Sequence, residues 1–217
     1  MNNPKIKICG MREAENMRKV VALEPDFFGL IFYPKSKRYA HEKSKDQKAA
    51  IKNLNIRKAG VFVNAGLDFL KSCITDYGLS AVQLHGDETP EYCDALKGEV
   101  EVIKVFRIGD KAFDIDEQAR LFENSCHYFL FDTDSAAYGG SGKRFNWAVL
   151  QNATIGKPFF LSGGIGPHDI EAVQQFRHPF LYAVDINSRF ETTPGVKDME
   201  RVKSFVNNLK VPTLWIK

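Results

Sequence analysis

Short runs rich in β-branched and aromatic residues recur along the chain at 6–9, 27–32, 59–63, 81–84, 100–106, 128–132, 158–161 and 181–186, bounded by Gly, Pro and Asn. A strand covered on both faces never meets water, so it reads as a continuous apolar run rather than an alternation; these runs predict a parallel sheet. Amphipathic stretches at 12–23, 44–54, 67–77, 91–96, 112–122, 147–152, 169–176 and 197–209 fill the gaps and predict helices. In the first, Ala14, Met17, Val20 and Val21 share a face, and the second and eighth are Lys-rich on their polar sides, as an outer helix should be. Strand and helix alternate to the end, at roughly 27 residues per unit. That spacing predicts an α/β fold, a (β/α)₈ TIM barrel, with residues 1–217 forming a single domain. The rival is a doubly wound open sheet, whose dinucleotide form needs G-x-G-x-x-G after its first strand. Here the first strand ends Lys7-Ile8-Cys9-Gly10-Met11, without that fingerprint. No Pro/Gly/Ser-rich linker divides the chain.

At 217 residues the chain is long enough to bury a substantial core. Its net charge of +3 suits a phosphorylated or carboxylated small molecule and is far from a nucleic-acid footprint. The basic cluster Lys35-Ser36-Lys37-Arg38 is too short to alter that reading. The four cysteines, Cys9, Cys73, Cys93 and Cys126, lie far apart with no C-x-x-C pair, against a structural zinc site or a disulfide framework. No apolar stretch reaches the ~18–20 residues of a membrane span, and Lys5-Ile6-Lys7-Ile8 lacks a signal-peptide core. The cytoplasm is the expected location.

Barrel enzymes work at the C-terminal ends of their strands. Those positions here are Cys9, 33–38, Asn64, His85, Arg107, Asp132, Ser162-Gly163-Gly164 and 185–189, a far more polar set than the strands they end. Phosphate commonly sits between the loops after strands seven and eight. Gly163 and Gly164 let the backbone approach an anion closely, and Ser188 and Arg189 offer a hydroxyl and a guanidinium. Paired glycines also make plain tight turns. Gly139-Gly140-Ser141-Gly142-Lys143 fails the Walker A spacing, with Ala137 in place of the first Gly and Arg144 in place of Ser/Thr. It reads as a glycine-rich cover over the site. Cys9 stands at the rim, where neighbouring basic groups are expected to lower a thiol's pKa enough for it to act as a base; the bland alternative is a small buried hydrophobe. Asp132 follows Tyr128-Phe129-Leu130-Phe131, and apolar surroundings raise a carboxyl pKa toward that of an acid catalyst; the alternative is a cap or an ion-pair partner. Cys73, Cys93 and Cys126 read as structural.

Lys7-Ile8-Cys9-Gly10-Met11, the segment Phe28-Gly29-Leu30-Ile31-Phe32-Tyr33-Pro34-Lys35-Ser36-Lys37-Arg38-Tyr39 and Gly60-Val61-Phe62-Val63-Asn64 resemble the first three signatures of one family. Val82-Gln83-Leu84-His85-Gly86-Asp87-Glu88, Phe131-Asp132-Thr133 with the glycine-rich segment, and Leu161-Ser162-Gly163-Gly164-Ile165 continue them in order. The family is the phosphoribosylanthranilate isomerases, the barrel enzymes of tryptophan biosynthesis, and the resemblance spans nearly the whole chain. It implies an Amadori rearrangement of N-(5-phosphoribosyl)anthranilate to 1-(2-carboxyphenylamino)-1-deoxyribulose 5-phosphate, in which Asp132 protonates the ring oxygen and Cys9 removes the proton from C2. It implies no metal or coenzyme, because the substrate's own nitrogen is the electron sink. It further implies that Arg38 grips the anthranilate carboxylate and that Gln83, His85 and Asp185 line the pocket. The partner is then a small phosphosugar, with neither nucleic acid nor membrane, bound by a monomer or a homodimer.

After strand eight the family often carries Ser-Ser-Gly-Val-Glu, where this chain has Asn187-Ser188-Arg189-Phe190-Glu191, so Arg189 replaces the expected Gly. The related histidine-pathway isomerase resembles this chemistry with an Asp where Cys9 stands. Indole-glycerol-phosphate synthase uses lysines that the matching strand ends here lack. A catalytically silent phosphate-binding barrel is the reading from another class, and the retention of both Cys9 and Asp132 argues against it.

Overall fold

The computed structural model describes residues 3–40, 43–109, 113–134 and 145–210. The predicted runs form strands β1 (Lys5–Ile8), β2 (Phe27–Ile31), β3 (Arg57–Phe62), β4 (Ala81–Leu84), β5 (Glu101–Ile108), β6 (Tyr128–Thr133), β7 (Phe159–Leu161) and β8 (Leu181–Ile186). They pair in parallel in chain order, and β8 returns to β1 to close an eight-stranded barrel. Helices α1 (Ala14–Val21), α2 (Lys45–Lys52), α3 (Leu67–Tyr77), α4 (Pro90–Lys97), α5 (Ile115–Phe122), α6 (Ala148–Gln151), α7 (Ile170–Gln175) and α8 (Met199–Lys210) follow the strands in turn. The expected barrel is the observed one.

Two cores result from the period-2 alternation of each strand. The barrel interior is plugged by Phe27, Ala59, Ala81, Ile103, Val105, Leu130, Phe160 and Ala183. The larger core lies between strands and helices and includes Ile6, Ile8, Phe28, Val82, Phe106 and Phe131. At the end where the strands begin, the Arg57 guanidinium lies 4.1 Å over the Phe27 ring and pairs with Glu101. That end is filled and bonded, so the opposite end is the one open to chemistry.

Helix boundaries follow local signals. Ser44 caps α2 and exchanges bonds with Gln47, Thr89 caps α4 ahead of Pro90, and Gly78 closes α3 in a left-handed conformation. Two expectations need correction. Ala14 is exposed, and Asn16 is buried on α1 in its place, its amide pairing with the backbone of Lys197 as a neighbouring strand would: Nδ2 donates to the carbonyl at 2.9 Å and Oδ1 accepts the N–H at 2.8 Å. The helix expected over 197–209 starts at Met199, because Val196–Lys197 is a strand (β10) paired antiparallel with β9 (Glu191–Thr193). Gly195, with φ of 91°, makes the turn between them. Cys73, Cys93 and Cys126 are buried, as a structural role requires. The glycine-rich segment 139–143 and the tail 211–217 lie outside the described residues.

Candidate active site

Ile6 and Ile8 belong to the outer core, so the alternate residues of β1, Lys7 and Cys9, turn into the barrel. Lys7 is fully buried and donates to Asp185 Oδ1 at 3.0 Å; the two residues are register partners across the β1–β8 seam. Burial works against a charged Lys7, but the Asp185 carboxylate and the Cys9 sulfur outweigh it, so its pKa is raised. Burial raises Asp185 as well, and the Lys7 ammonium opposes that rise. Cys9 packs against Gly29 of β2: a Cβ there would lie 2.7 Å from Sγ, so only glycine leaves the thiol room. The expectation of a lowered thiol pKa is overturned. Basic groups are present, since Lys7 and Lys197 both favour the thiolate, but burial wins and Cys9 is raised above its ordinary value.

Across the mouth, Asp132 stands at the end of β6. Its Oδ1 accepts the Thr133 N–H at 2.8 Å and faces the Ser162 hydroxyl at 3.5 Å. Burial lifts its pKa to about 6, Thr133 opposes that, and Asp185 adds to it. The expected acid-like carboxyl is present. Gln83 Nε2 donates to His85 Nδ1 at 3.3 Å, which leaves the imidazole hydrogen on Nε2, 3.6 Å from Asp132 Oδ2. Burial pushes His85 down to about 3, with Arg107, Lys7 and Lys104 adding to it, so the ring is neutral and faces Asp132 as a dipole. Gln83 Oε1 and His85 Nε2 are buried with no hydrogen-bond partner among the described residues. Buried polar groups are normally satisfied, so these two atoms mark a surface shaped for a polar guest.

The structure places Arg38 in the same mouth, with its fork on Glu191: Nε lies 2.9 and 3.0 Å from the two carboxylate oxygens and one Nη 2.6 Å from Oε2. Lys197, also fully buried, donates to Glu191 Oε1 and Asn187 Oδ1 at 2.8 Å each. Burial opposes a charged Glu191, yet Arg38 and Lys197 hold its pKa below the usual range. Arg38 therefore sits oriented by a protein carboxylate, in the bidentate geometry that a substrate carboxylate would also use. The Arg38 stem and the Asn187 side chain also crowd Gly10, where a Cβ would lie 2.8 and 2.5 Å from them.

Gly163 and Gly164 follow β7 in left-handed conformations, with φ of 88° and 69°. A side chain at Gly163 would strike Thr133 Oγ1 at 2.5 Å. Ser188 and Arg189 lie in a single 3₁₀ turn after β8. Arg189 is exposed, with its aliphatic stem against Gly166 of the preceding loop, where a Cβ would meet Cδ at 3.0 Å.

Sequence reasoning missed Lys7, Glu191 and Lys197. The signal for Lys7 was available: in Lys5-Ile6-Lys7-Ile8 the lysines occupy the inward positions of a barrel strand, which a search for apolar runs discards. Glu191 and Lys197 carried none, because Glu191 pairs with Arg38 far off in the chain and with Lys197 across a hairpin too short to show in the pattern.

The family described as N-(5′-phosphoribosyl)anthranilate isomerase matches residues 6–208. The chain is similar to the N-(5′-phosphoribosyl)anthranilate isomerase of Parabacteroides distasonis, at 43% identity over 211 residues, covering 96% of this chain and 95% of the relative. It superposes on the phosphoribosyl anthranilate isomerase of Thermus thermophilus with a TM-score of 0.81 at 28% identity, covering 94% of this chain and 98% of that one. A phosphoribosyl anthranilate isomerase in complex with reduced 1-(o-carboxyphenylamino)-1-deoxyribulose 5-phosphate matches with a TM-score of 0.74 at 30% identity, covering 95% and 98%. With fold, mouth chemistry and sequence in agreement, the chain belongs to the N-(5′-phosphoribosyl)anthranilate isomerase family.

Proposed function

We propose that Cys9 and Asp132 are the base and acid with which this barrel performs the Amadori rearrangement of its family, converting N-(5-phosphoribosyl)anthranilate to 1-(2-carboxyphenylamino)-1-deoxyribulose 5-phosphate. The observation that carries the reading is the Asp132 carboxyl, which keeps its proton up to about pH 6 while standing at the barrel mouth. Its proton goes to the furanose ring oxygen as the C1–O bond breaks, and the anthranilate nitrogen lone pair closes the C1=N bond. The iminium acidifies C2. Cys9, as thiolate, takes that proton; the C–H electrons form C1=C2, the C=N electrons return to nitrogen, and the enolamine tautomerises to the ketone. Positioned proton transfer is worth roughly 10²–10⁴-fold for each group.

Arg38 engages the anthranilate carboxylate, His85, Gln83 and Asp185 line the sugar's side of the pocket, and the backbone at Gly163 and Gly164, with Ser188 and Arg189, holds phosphate. The left-handed backbone at Gly163 and Gly164 supports that last assignment, since only glycine takes it without strain and it lets the chain approach an anion closely. Every side chain assigned comes from one chain, folded as one barrel, so monomer and homodimer alike would carry a complete site.

The test follows the anthranilate fluorescence of phosphoribosylanthranilate generated in situ. Rapid decay with the wild type and near-background decay with Cys9→Ala and Asp132→Asn is expected. A wild type no faster than buffer would leave a silent binding barrel, and active variants would remove the acid–base assignment while keeping the function.

A further inference from the structure

The reaction needs two groups in the less common of their paired states, a deprotonated thiol and a protonated carboxyl. Beside Cys9, on β1 and the adjoining β8, lies a fully buried ion pair, Lys7 with Asp185 at 3.0 Å, that no substrate is needed to complete. Its two poles are not equivalent to their neighbours. Lys7 shares the inward face of β1 with Cys9, two residues on, whereas Asp185 stands on β8, two strands from the β6 that carries Asp132 and one strand nearer to it than Lys7. In keeping with that placement, the ammonium outweighs Asp185 at Cys9, and the carboxylate outweighs Lys7 at Asp132. We propose that the Lys7–Asp185 pair is the positioning element that lets base and acid hold opposite protonation, its ammonium turned to the Cys9 sulfur and its carboxylate to Asp132.

This rests on Cys9 and Asp132 being the base and acid. The other charged or titratable groups facing the pair of catalysts do not supply the same asymmetry. Lys197 on β10 also acts on Cys9, but it is held by Glu191 on β9, which Arg38 shares. On the Asp132 side, His85 is neutral, Ser162 only bonds, and Arg107, the register neighbour on β5, donates to Asp87 at 2.5 Å. Among the described residues, Lys7 and Asp185 are the charged pair that acts on both catalysts, the ammonium in one sense and the carboxylate in the other.

The consequence is a particular pH behaviour. When the active form is thiolate with carboxylic acid, kcat/KM is flat between the two titrations, and its height falls tenfold for each pH unit by which they move apart. Lys7→Met removes the favourable pole at Cys9: both limbs move to higher pH, the Cys9 limb further, and the plateau falls roughly tenfold. Asp185→Asn does the reverse: both limbs move to lower pH, the Asp132 limb further, and the plateau falls again by roughly tenfold. The double variant Lys7→Met/Asp185→Asn leaves no unpaired buried charge and keeps the side-chain shapes, so it guards against loss of fold in either single variant. In it the limbs separate in both directions and the plateau drops about a hundredfold.

The measurement is kcat/KM against pH for these variants, with thiolate absorbance near 240 nm titrated in parallel and Cys9→Ser subtracted as the blank. Limbs moving in opposite directions in the two single variants, and apart in the double, are the expected result. A plateau that drops with the limbs and the thiolate titration unmoved would make the pair a structural strut and overturn the proposal. The thiolate titration needs no turnover, so it separates the two readings. If Cys9→Ala retained activity, the catalytic assignment would fall while the titration still reported the pair.

Discussion

Replacing Asp132 by Asn should stabilise the fold above neutrality and leave it unchanged in acid. The folded chain lifts this carboxyl from 3.8 to about 6, and unfolding returns it to the ordinary range. Between those values the native state keeps a proton that the unfolded chain has shed. Stability therefore falls as pH rises through that window, and the full cost stands above pH 6. A shift of about two units at 1.36 kcal/mol each gives a ceiling near 3 kcal/mol, and the 17% exposure of the side chain trims this to about 2 kcal/mol. Asn retains an Oδ1 to accept the Thr133 N–H and carries no charge to desolvate. For a domain of this size the gain corresponds to a Tm rise of roughly 4–8 °C. Calorimetric melts of both proteins at pH 8 and at pH 4 read the difference directly. An equal gain at the two pH values, or a loss at pH 8, would refute the claim that the buried negative charge is what the fold tolerates for its chemistry.

Gly29→Ala drives a Cβ to 2.7 Å from the Cys9 sulfur and 3.1 Å from its Cα, so strand and thiol must part. Overpacking of this kind costs about 1–3 kcal/mol, and a thiol displaced by around an ångström loses about a hundredfold in kcat; urea melts and turnover that both matched the wild type would contradict it. Asn16→Ala strips two partners from the buried backbone of Lys197. At about 1–3 kcal/mol for each of the two orphaned groups, chemical denaturation should show a loss of roughly 2–6 kcal/mol. A change below about 0.5 kcal/mol would mean that water replaces the amide.

The barrel was legible because a strand buried on both faces advertises itself in composition, and eight such runs from Ile6 to Ile186 leave few alternatives. The positions of Cys9 and Asp132 were legible for the same reason, since strand ends are where barrels work. The charge state of Cys9 was not. It depends on how far burial outweighs Lys7 and Lys197, a balance of three-dimensional distances that no local pattern encodes. Arg38 was singled out only through the family resemblance, and its protein partner lies 153 residues away, a pairing to which sequence spacing is blind. The β9–β10 hairpin was missed although Thr193-Pro194-Gly195-Val196 carries a turn signal, because two strands of three and two residues are too short to show an alternation and their last residue, Lys197, was taken into the helix that begins at Met199.

Seven of the eight pairings of the barrel join neighbouring strands in the chain, and the β1–β8 seam joins the first strand to the last. Bringing ends together over so long a loop is entropically unfavourable and yields contacts only when closure occurs, so the seam is the natural late step of folding. The ion pair at the centre of the mouth has its ammonium on the first strand and its carboxylate on the last. An intermediate carrying most of the ladder but an open ring would hold a lone buried cation on one edge and a lone anion on the other. Neither edge is comfortable apart, which biases such a species toward closing on itself rather than pairing with a second molecule. Recovery of activity on refolding would then report ring closure, where helix content reports only the units.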